Sequence, residues 1–125
     1  MILLIQIIQT IQKYWLLLTL TLLAIIATLS LWPVAHLPDV PGTDKAHHFI
    51  AYAALMLPLA LKQSKHYSIL VVGFITFIMF SGAIELIQPY VNRYGEWLDM
   101  AANAIGLFCG WLLARVLLYF CQIKT

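Results

Sequence analysis

The chain has 125 residues, of which 63% are hydrophobic and only 10% charged. A soluble domain runs closer to about 45–50% and about 25%, and a chain this short keeps too much surface in contact with solvent to hide such an excess from water. The formal net charge of +2 and the scattered Lys and Arg residues, with no basic run interleaved with aromatics, argue against nucleic acid as a partner and leave membrane lipids as the expected surroundings.

Residues 1–12, MILLIQIIQTIQ, space Gln6, Gln9 and Gln12 so that they form one stripe in an otherwise apolar segment. That is the pattern of an interfacial amphipathic lead-in. Lys13 follows, and 14–32 is an uncharged apolar run long enough to cross a hydrocarbon core of about 30 Å. The run is too long for the apolar region of a secretory signal, and no clear A-x-A cleavage pattern follows it, so it reads as the first span.

Pro33 to Thr43, PVAHLPDVPGT, is a loop, because its prolines, Gly42 and Asp39 forbid a regular helix. Thr43 and Asp44 both cap well, and a second span runs over 45–61. At about 24–27 Å it is short for a bilayer, so its neighbours are expected to cover part of it. Pro58 is a possible kink. Lys62, Lys65 and His66 make a basic turn before a third span at 67–88, which only Glu85 interrupts. Pro89 biases Gln88 out of the helical region and should end that helix. A polar turn through Glu96 leads to a fourth span at 97–120, with Asp99 in its first turn and Arg115 toward its far end.

The expected fold is therefore all-α: a single domain, an integral membrane bundle of four transmembrane helices. With four spans both termini lie on one side. Lys13, Lys62, Lys65, Arg115 and Lys124 fall on that side, against Lys45 and Arg93 on the other. The positive-inside rule then makes the termini cytoplasmic in a multi-pass protein of the cell membrane. The acidic residues Asp39, Asp44, Glu85, Glu96 and Asp99 all fall on or near the opposite, extracytoplasmic face. Cys109 and Cys121 sit on one helix about 18 Å apart, too far for a disulfide between them, and read as small apolar residues.

Three polar patterns converge on that face. Asp44, His48 and Tyr52 are spaced i, i+4, i+8 and share a stripe. Asp44 also complements the helix dipole, which alone could account for it. His48 reads either as a histidine satisfied by a carboxylate or as a proton carrier or ligand, while His47 points roughly 100° away. Glu85 and Gln88 share a face of the third helix. A carboxylate there needs a partner or water, and an ion pair with Arg93 or Lys45 that pins the loops is weighed equally with a functional role. Asp99 and Asn103 share a face of the fourth helix.

Ala102, Gly106, Gly110 and Ala114 form a small-xxx-small series for close helix packing. That packing is expected to bring Asp99 and Asn103 against the helix carrying Glu85. The outer face thus assembles an acid–base inventory, with His48 and Glu85 or Asp99 able to exchange a proton. His48, Glu85 and Asp99 could in principle hold a metal, but no HExxH or comparable spacing is present, and no metal or other cofactor is expected. Ser30 and Ser81 are lone serines without a nucleophile-elbow pattern.

The run Asp44-Lys45-x-x-His48-Phe49-x-x-Tyr52 resembles the first signature of the VanZ-like membrane proteins. Glu85-x-x-Gln88, Arg93, Glu96-Trp97-x-Asp99, Asn103, Gly106 and Gly110 resemble the second, so the likeness spans roughly Asp44 to Gly110. The family's namesake is associated with resistance to glycopeptide antibiotics, teicoplanin in particular. The resemblance implies a small polytopic membrane protein with a cell-envelope role. On that expectation Glu85, Asp99 and His48 are acid–base candidates. Asp44, Lys45, Tyr52, Gln88, Arg93 and Asn103 line a binding pocket for a lipid-linked envelope precursor or an anionic headgroup. The alternatives are a scaffold or subunit whose polar cluster is a structural clamp, with the glycine face meeting another membrane protein or a second copy, and, less favoured, a small transporter.

Overall fold

The computed structural model describes residues 1–33 and 43–123. Most of the proline-rich loop, with Asp39, lies outside the described residues, as does Lys124. Five α-helices follow one another: α1 (Ile2–Lys13), α2 (Trp15–Leu31), α3 (Asp44–Lys62), α4 (Tyr67–Ile87) and α5 (Trp97–Phe120), with a short 3₁₀ turn (Gln88–Val91) between α4 and α5. No strand occurs among the described residues.

The glutamine-striped lead-in is a helix of its own. It breaks from α2 at Tyr14, and the two axes are bent by 77°. Ile8, on its apolar side, is buried in the core. Gln12 Nε2 donates to the Leu61 carbonyl oxygen at 2.9 Å and ties the end of α1 to the end of α3. Two hydroxyls of α2 are satisfied within the helix: Thr19 and Thr28 donate to the Trp15 and Ala24 carbonyls at 2.8 Å. That is how a hydroxyl is tolerated where water is absent. Trp32 is extended, as a residue before proline should be.

α3 starts where its capping residues require: the Thr43 side chain accepts from the Ala46 backbone N–H, and Asp44 lies in the first turn. The helix continues through Pro58 to Lys62, whose charge complements the C-terminal end of the dipole. It carries most of the core, including Tyr52, Leu55, Met56, Leu59 and Leu61, and it contacts each of the other helices. The expected covering of this short helix is therefore present.

Its main partner is α5. A β-carbon at Gly106 would collide with the Phe49 carbonyl oxygen, and one at Gly110 with the Ala53 carbonyl oxygen. The two backbones touch at these points, which only glycine permits. The expectation that this packing brings Asn103 against the helix carrying Glu85 holds, since Asn103 bonds Ser81 of α4, but it is corrected for the glycines. Gly106 and Gly110 pack on α3, not on the helix carrying Glu85, because α3 has Ala53 and a bare stretch of backbone opposite them. Ala102 is only half-buried.

α4 stops at Ile87, about where expected, but Gln88 is not driven out of the helical region as Pro89 was expected to require: it keeps helical dihedrals (φ −51°, ψ −41°), and the chain tightens into the 3₁₀ turn instead. Asn92 adopts the left-handed conformation (φ 58°) that Asn tolerates, and the chain turns into α5.

Among the described residues two segments, Tyr67–Val91 and Trp97–Phe120, are long and apolar enough to cross a membrane. The bent pair α1–α2 makes a third if it is one span. α3 carries Asp44, Lys45, His47 and His48 in its first turns and is less apolar. Large apolar side chains such as Val72, Ile75 and Met79 on α4, and Ile105, Phe108 and Leu113 on α5, are exposed on the outside of the bundle, a surface suited to lipid.

Candidate functional site at the α3–α5 end of the bundle

The glycine contact sets the register between α3 and α5. One turn before Gly106 stands Asn103, and beside Phe49 stands His48. His48 Nδ1 and Asn103 Oδ1 are 3.0 Å apart. Asn103 Nδ2 in turn donates to Ser81 Oγ of α4 at 2.7 Å, and both residues are buried. Since the amide nitrogen is committed to Ser81, the amide oxygen is an acceptor, and His48 Nδ1–H donates to it. The buried Tyr52 hydroxyl lies beside Ser81. A polar thread thus links α3, α5 and α4.

A donor at Nδ1 leaves the Nε2 lone pair of the neutral ring facing outward. Nε2 meets two carboxylates, Asp99 Oδ2 at 3.8 Å and Asp44 Oδ2 at 3.9 Å. Neither distance is a hydrogen bond. The Asp99 side chain is only 4% exposed, and its Oδ1 has no hydrogen-bond partner among the described residues. Lys45 Nζ reaches Oδ1 at 3.5 Å and Glu96 Oε2 at 3.0 Å, bridging the starts of α3 and α5 from the exposed side. A carboxylate this deep is expensive unless compensated, so the compensation at Asp99 is long-range and incomplete. Asp44, His48 and Asp99 each offer one ligand atom, and these atoms all lie within 4.8 Å of one another.

The remaining predicted residues serve the backbone. Glu85 forms an ion pair with neither Arg93 nor Lys45 among the described residues. Its Oε2 accepts from the Glu96 backbone N–H at 2.9 Å, while Oε1 is buried without a hydrogen bond. Arg93 donates to the Leu29 and Trp32 carbonyls, 3.3 Å each, at the end of α2. Gln88 Nε2 donates to the Ser30 carbonyl at 3.1 Å. The predicted outer face therefore divides. Asp44, Lys45, His48, Tyr52, Asp99 and Asn103 converge at the α3–α5 end, whereas Gln88 and Arg93 turn to α2 and Glu85 closes the α4–α5 corner. An open apolar groove of about 630 Å³ between α4 and α5, lined by Met79, Leu86, Trp97 and Met100, has Glu85 and Glu96 at its rim.

Sequence reasoning missed two contributors. Ser81 looked like a lone serine, and its position four residues before Glu85, on one face of α4, was the available signal. Gly95 lets the turn close on Glu85, where a β-carbon would come within 2.6 Å of the Glu85 carbonyl oxygen. Only the three-dimensional turn reveals that.

Among the described residues, two to three helical segments of membrane-crossing length and composition surround a charged, half-buried end. Residues 2–119 match the VanZ/LLP1 family model, and the chain belongs to that family. A search of curated proteins finds no match. A search of solved structures finds none either.

Proposed function

We propose that this VanZ/LLP1 protein is a four-span protein of the bacterial cell membrane. Its termini are cytoplasmic, and its polar end, on the extracytoplasmic side, binds or modifies the headgroup of a cell-envelope component. α3 supports a fourth span because it is packed along α5 backbone to backbone at Gly106 and Gly110. The Gln12–Leu61 contact puts the start of the chain beside Lys62, at the basic end of the bundle, while Asp44, Glu96 and Asp99 gather at the opposite end with Lys45. The basic end stays inside under the positive-inside rule.

The observation that carries the reading is the incomplete bonding of this polar end. A buried carboxylate and an imidazole nitrogen face each other without a hydrogen bond. Groups left poised in this way, near an apolar groove that would take an acyl chain, are those of a site that handles an amphiphile. His48 and Asp99 are the proton-exchanging pair and Lys45 the cation for an anionic headgroup. A lipid-linked precursor meets both needs, and a role in glycopeptide sensitivity follows if that precursor belongs to the cell wall.

The test compares a deletion strain complemented with wild type, Asp99→Asn, His48→Gln or Glu85→Gln for envelope lipid profile and teicoplanin sensitivity. Well-expressed Asp99→Asn and His48→Gln variants should behave like the deletion, and wild-type behaviour from both removes the site.

A structural clamp is favoured for one part of the cluster. Arg93 and Gln88 bond to three backbone carbonyls at the end of α2, which is how a clamp between the two helical hairpins would be built. A lowered melting temperature in detergent on Arg93→Ala, with the lipid profile per folded molecule unchanged, is the outcome for that part.

A further inference from the structure

We infer that Asp44, His48 and Asp99 form a binding site for a divalent transition-metal ion of the Zn²⁺ or Mn²⁺ type, with His48 Nε2 and one oxygen of each carboxylate as the protein ligands.

Two independent observations meet here. The first is the imidazole's orientation. A metal-bound histidine hands its second ring nitrogen to a hydrogen-bond acceptor that fixes tautomer and ring plane. His48 does this, since its Nδ1–H is held at 3.0 Å by Asn103 Oδ1, and Asn103 is itself held at 2.7 Å by Ser81. The nitrogen left over is the one aimed at the two carboxylates.

The second is the state of Asp99. It is 96% buried by its 4% side-chain exposure, and its Oδ1 has only the long ion pair to Lys45 Nζ at 3.5 Å, with no hydrogen bond among the described residues. Its Oδ2 stands 3.8 Å from His48 Nε2. A lone pair and a carboxylate facing each other repel unless a proton or a metal cation lies between them.

The distances fit an ion better than a direct contact. Metal–nitrogen and metal–oxygen bonds of roughly 2.0–2.2 Å at a tetrahedral angle place neighbouring ligand atoms roughly 3.4 Å apart. The two His48–carboxylate separations of 3.8 and 3.9 Å close to that with a shift of a few tenths of an ångström, while all three ligand atoms lie within 4.8 Å of one another, so the exposed Asp44 side chain supplies the remaining movement. Hydrogen bonding would need a contraction of about a full ångström.

One imidazole and two carboxylates select a borderline transition ion over Ca²⁺ or Mg²⁺, which prefer all-oxygen shells. Lys45 does not block the position, because it approaches Asp99 through Oδ1 and is shared with Glu96. Three protein ligands leave coordination open to water or to a headgroup oxygen. A bound cation would also offset the acidic excess of this end, where Asp44, Glu96 and Asp99 outnumber Lys45. The spacing shows no metal motif because the ligands come from two helices: Asp44 and His48 stand at i, i+4 on α3, and Asp99 arrives through the glycine contact of α5.

This inference does not need the proposed envelope role, and it replaces direct proton exchange between His48 and Asp99, because an ion-bound Nε2 has no lone pair left to accept a proton. Purified full-length chain in detergent, stripped with EDTA, is titrated with Zn²⁺ alone, and Mn²⁺ is followed by electron paramagnetic resonance. One ion per chain is expected, with directly bound imidazole nitrogen in the pulsed spectrum. His48→Ala and Asp44→Asn should each weaken binding at least tenfold. Asn103→Ala, which touches no ligand atom, should weaken it about 10–100-fold. His47→Ala is the control and should bind like wild type. Asp44 is 65% exposed, so its variant is expected to fold and keeps the test decisive if His48→Ala does not. Absence of saturable binding by folded wild type overturns the site. So does equal binding by wild type and Asp44→Asn, or loss of binding on His47→Ala with His48→Ala unaffected.

Discussion

His48 Nδ1 lies 3.0 Å from Asn103 Oδ1 across the α3–α5 contact, and this decides which imidazole nitrogen faces the two carboxylates. The hydrogen bond is possible only because Gly106 and Gly110 bring the two backbones together at Phe49 and Ala53. Packing and chemistry are therefore one design: the small face of α5 sets the register that aims the histidine.

Asn103→Ala should show this coupling in stability as well as in binding. It leaves the His48 ring N–H without its acceptor and Ser81 without its donor. An unsatisfied buried group costs about 1–3 kcal/mol, so thermal unfolding in detergent should shift down by several degrees. Ser81→Ala should be milder. The double variant Asn103→Ala/Ser81→Ala should lose less than the sum of the two, with a coupling of about 0.5–3 kcal/mol. Strict additivity would show that the two side chains do not share one network.

The glycines separate packing from mere helix propensity. Gly106→Ala and Gly110→Ala each push a β-carbon onto a backbone carbonyl that has no rotamer to yield. Each should cost at least the roughly 1–3 kcal/mol of an overpacked core and should lower metal or ligand binding by misplacing Asn103. Gly82→Ala meets only the flexible Met100 side chain at 3.6 Å. It should be neutral or slightly stabilising, since alanine is favoured by about 0.8–1 kcal/mol inside a helix. Monodispersity and melting temperature of the three variants in one detergent check the contrast.

Much of this arrangement could be read from the chain before any coordinates. The Thr43 cap, the stop at Pro89, the separate glutamine-striped lead-in and the Asp44–His48–Tyr52 stripe all follow from local rules, and local rules are what a sequence displays. Pairing was harder. Helical periodicity says which residues share a face but not which helix that face meets. α4 is apolar nearly all round, so nothing in its pattern distinguishes the side turned to α5 from the side turned to lipid. That is why the small face of α5 was expected against α4 and is found against α3. The same gap explains Arg93 and Glu85: an ion pair between them was one of two readings weighed equally, and both bond instead to backbone groups at a helix end or turn.

Arg93 illustrates the difference in a measurable way. Its two hydrogen bonds, 3.3 Å each, go to carbonyls at the C-terminal end of α2 and are solvent-exposed, although the residue itself is half-buried. Helix-end carbonyls welcome a cation, but the worth of an exposed contact is small, about 0.3–1 kcal/mol. Arg93→Ala should therefore lower stability by about 1 kcal/mol and leave Zn²⁺ affinity unchanged within about twofold. Arg93→Lys should recover part of the stability, since a point charge can still reach one carbonyl. A tenfold loss of ion affinity in either variant would place Arg93 in the site instead of in the clamp.

Glu85 is where the clamp and the site can be told apart most cleanly. One oxygen, Oε2, accepts the Glu96 backbone N–H at 2.9 Å, and the other, Oε1, is buried with no hydrogen bond. Glutamine preserves an acceptor for Glu96 and removes the charge, whereas alanine removes both. If Glu85 only closes the α4–α5 turn, Glu85→Gln should be as stable as wild type or more so, because it removes a buried carboxylate, and function should persist. Glu85→Ala should then lose about 1–3 kcal/mol from the exposed backbone donor. If the carboxylate acts on the bound headgroup, Glu85→Gln should be as stable as wild type and yet match the deletion strain in lipid profile and teicoplanin sensitivity. The pair of variants, measured for melting temperature and for complementation, puts stability and function on separate axes. A Glu85→Gln protein that folds and complements fully would remove Glu85 from the chemistry and leave His48 and Asp99 to carry it.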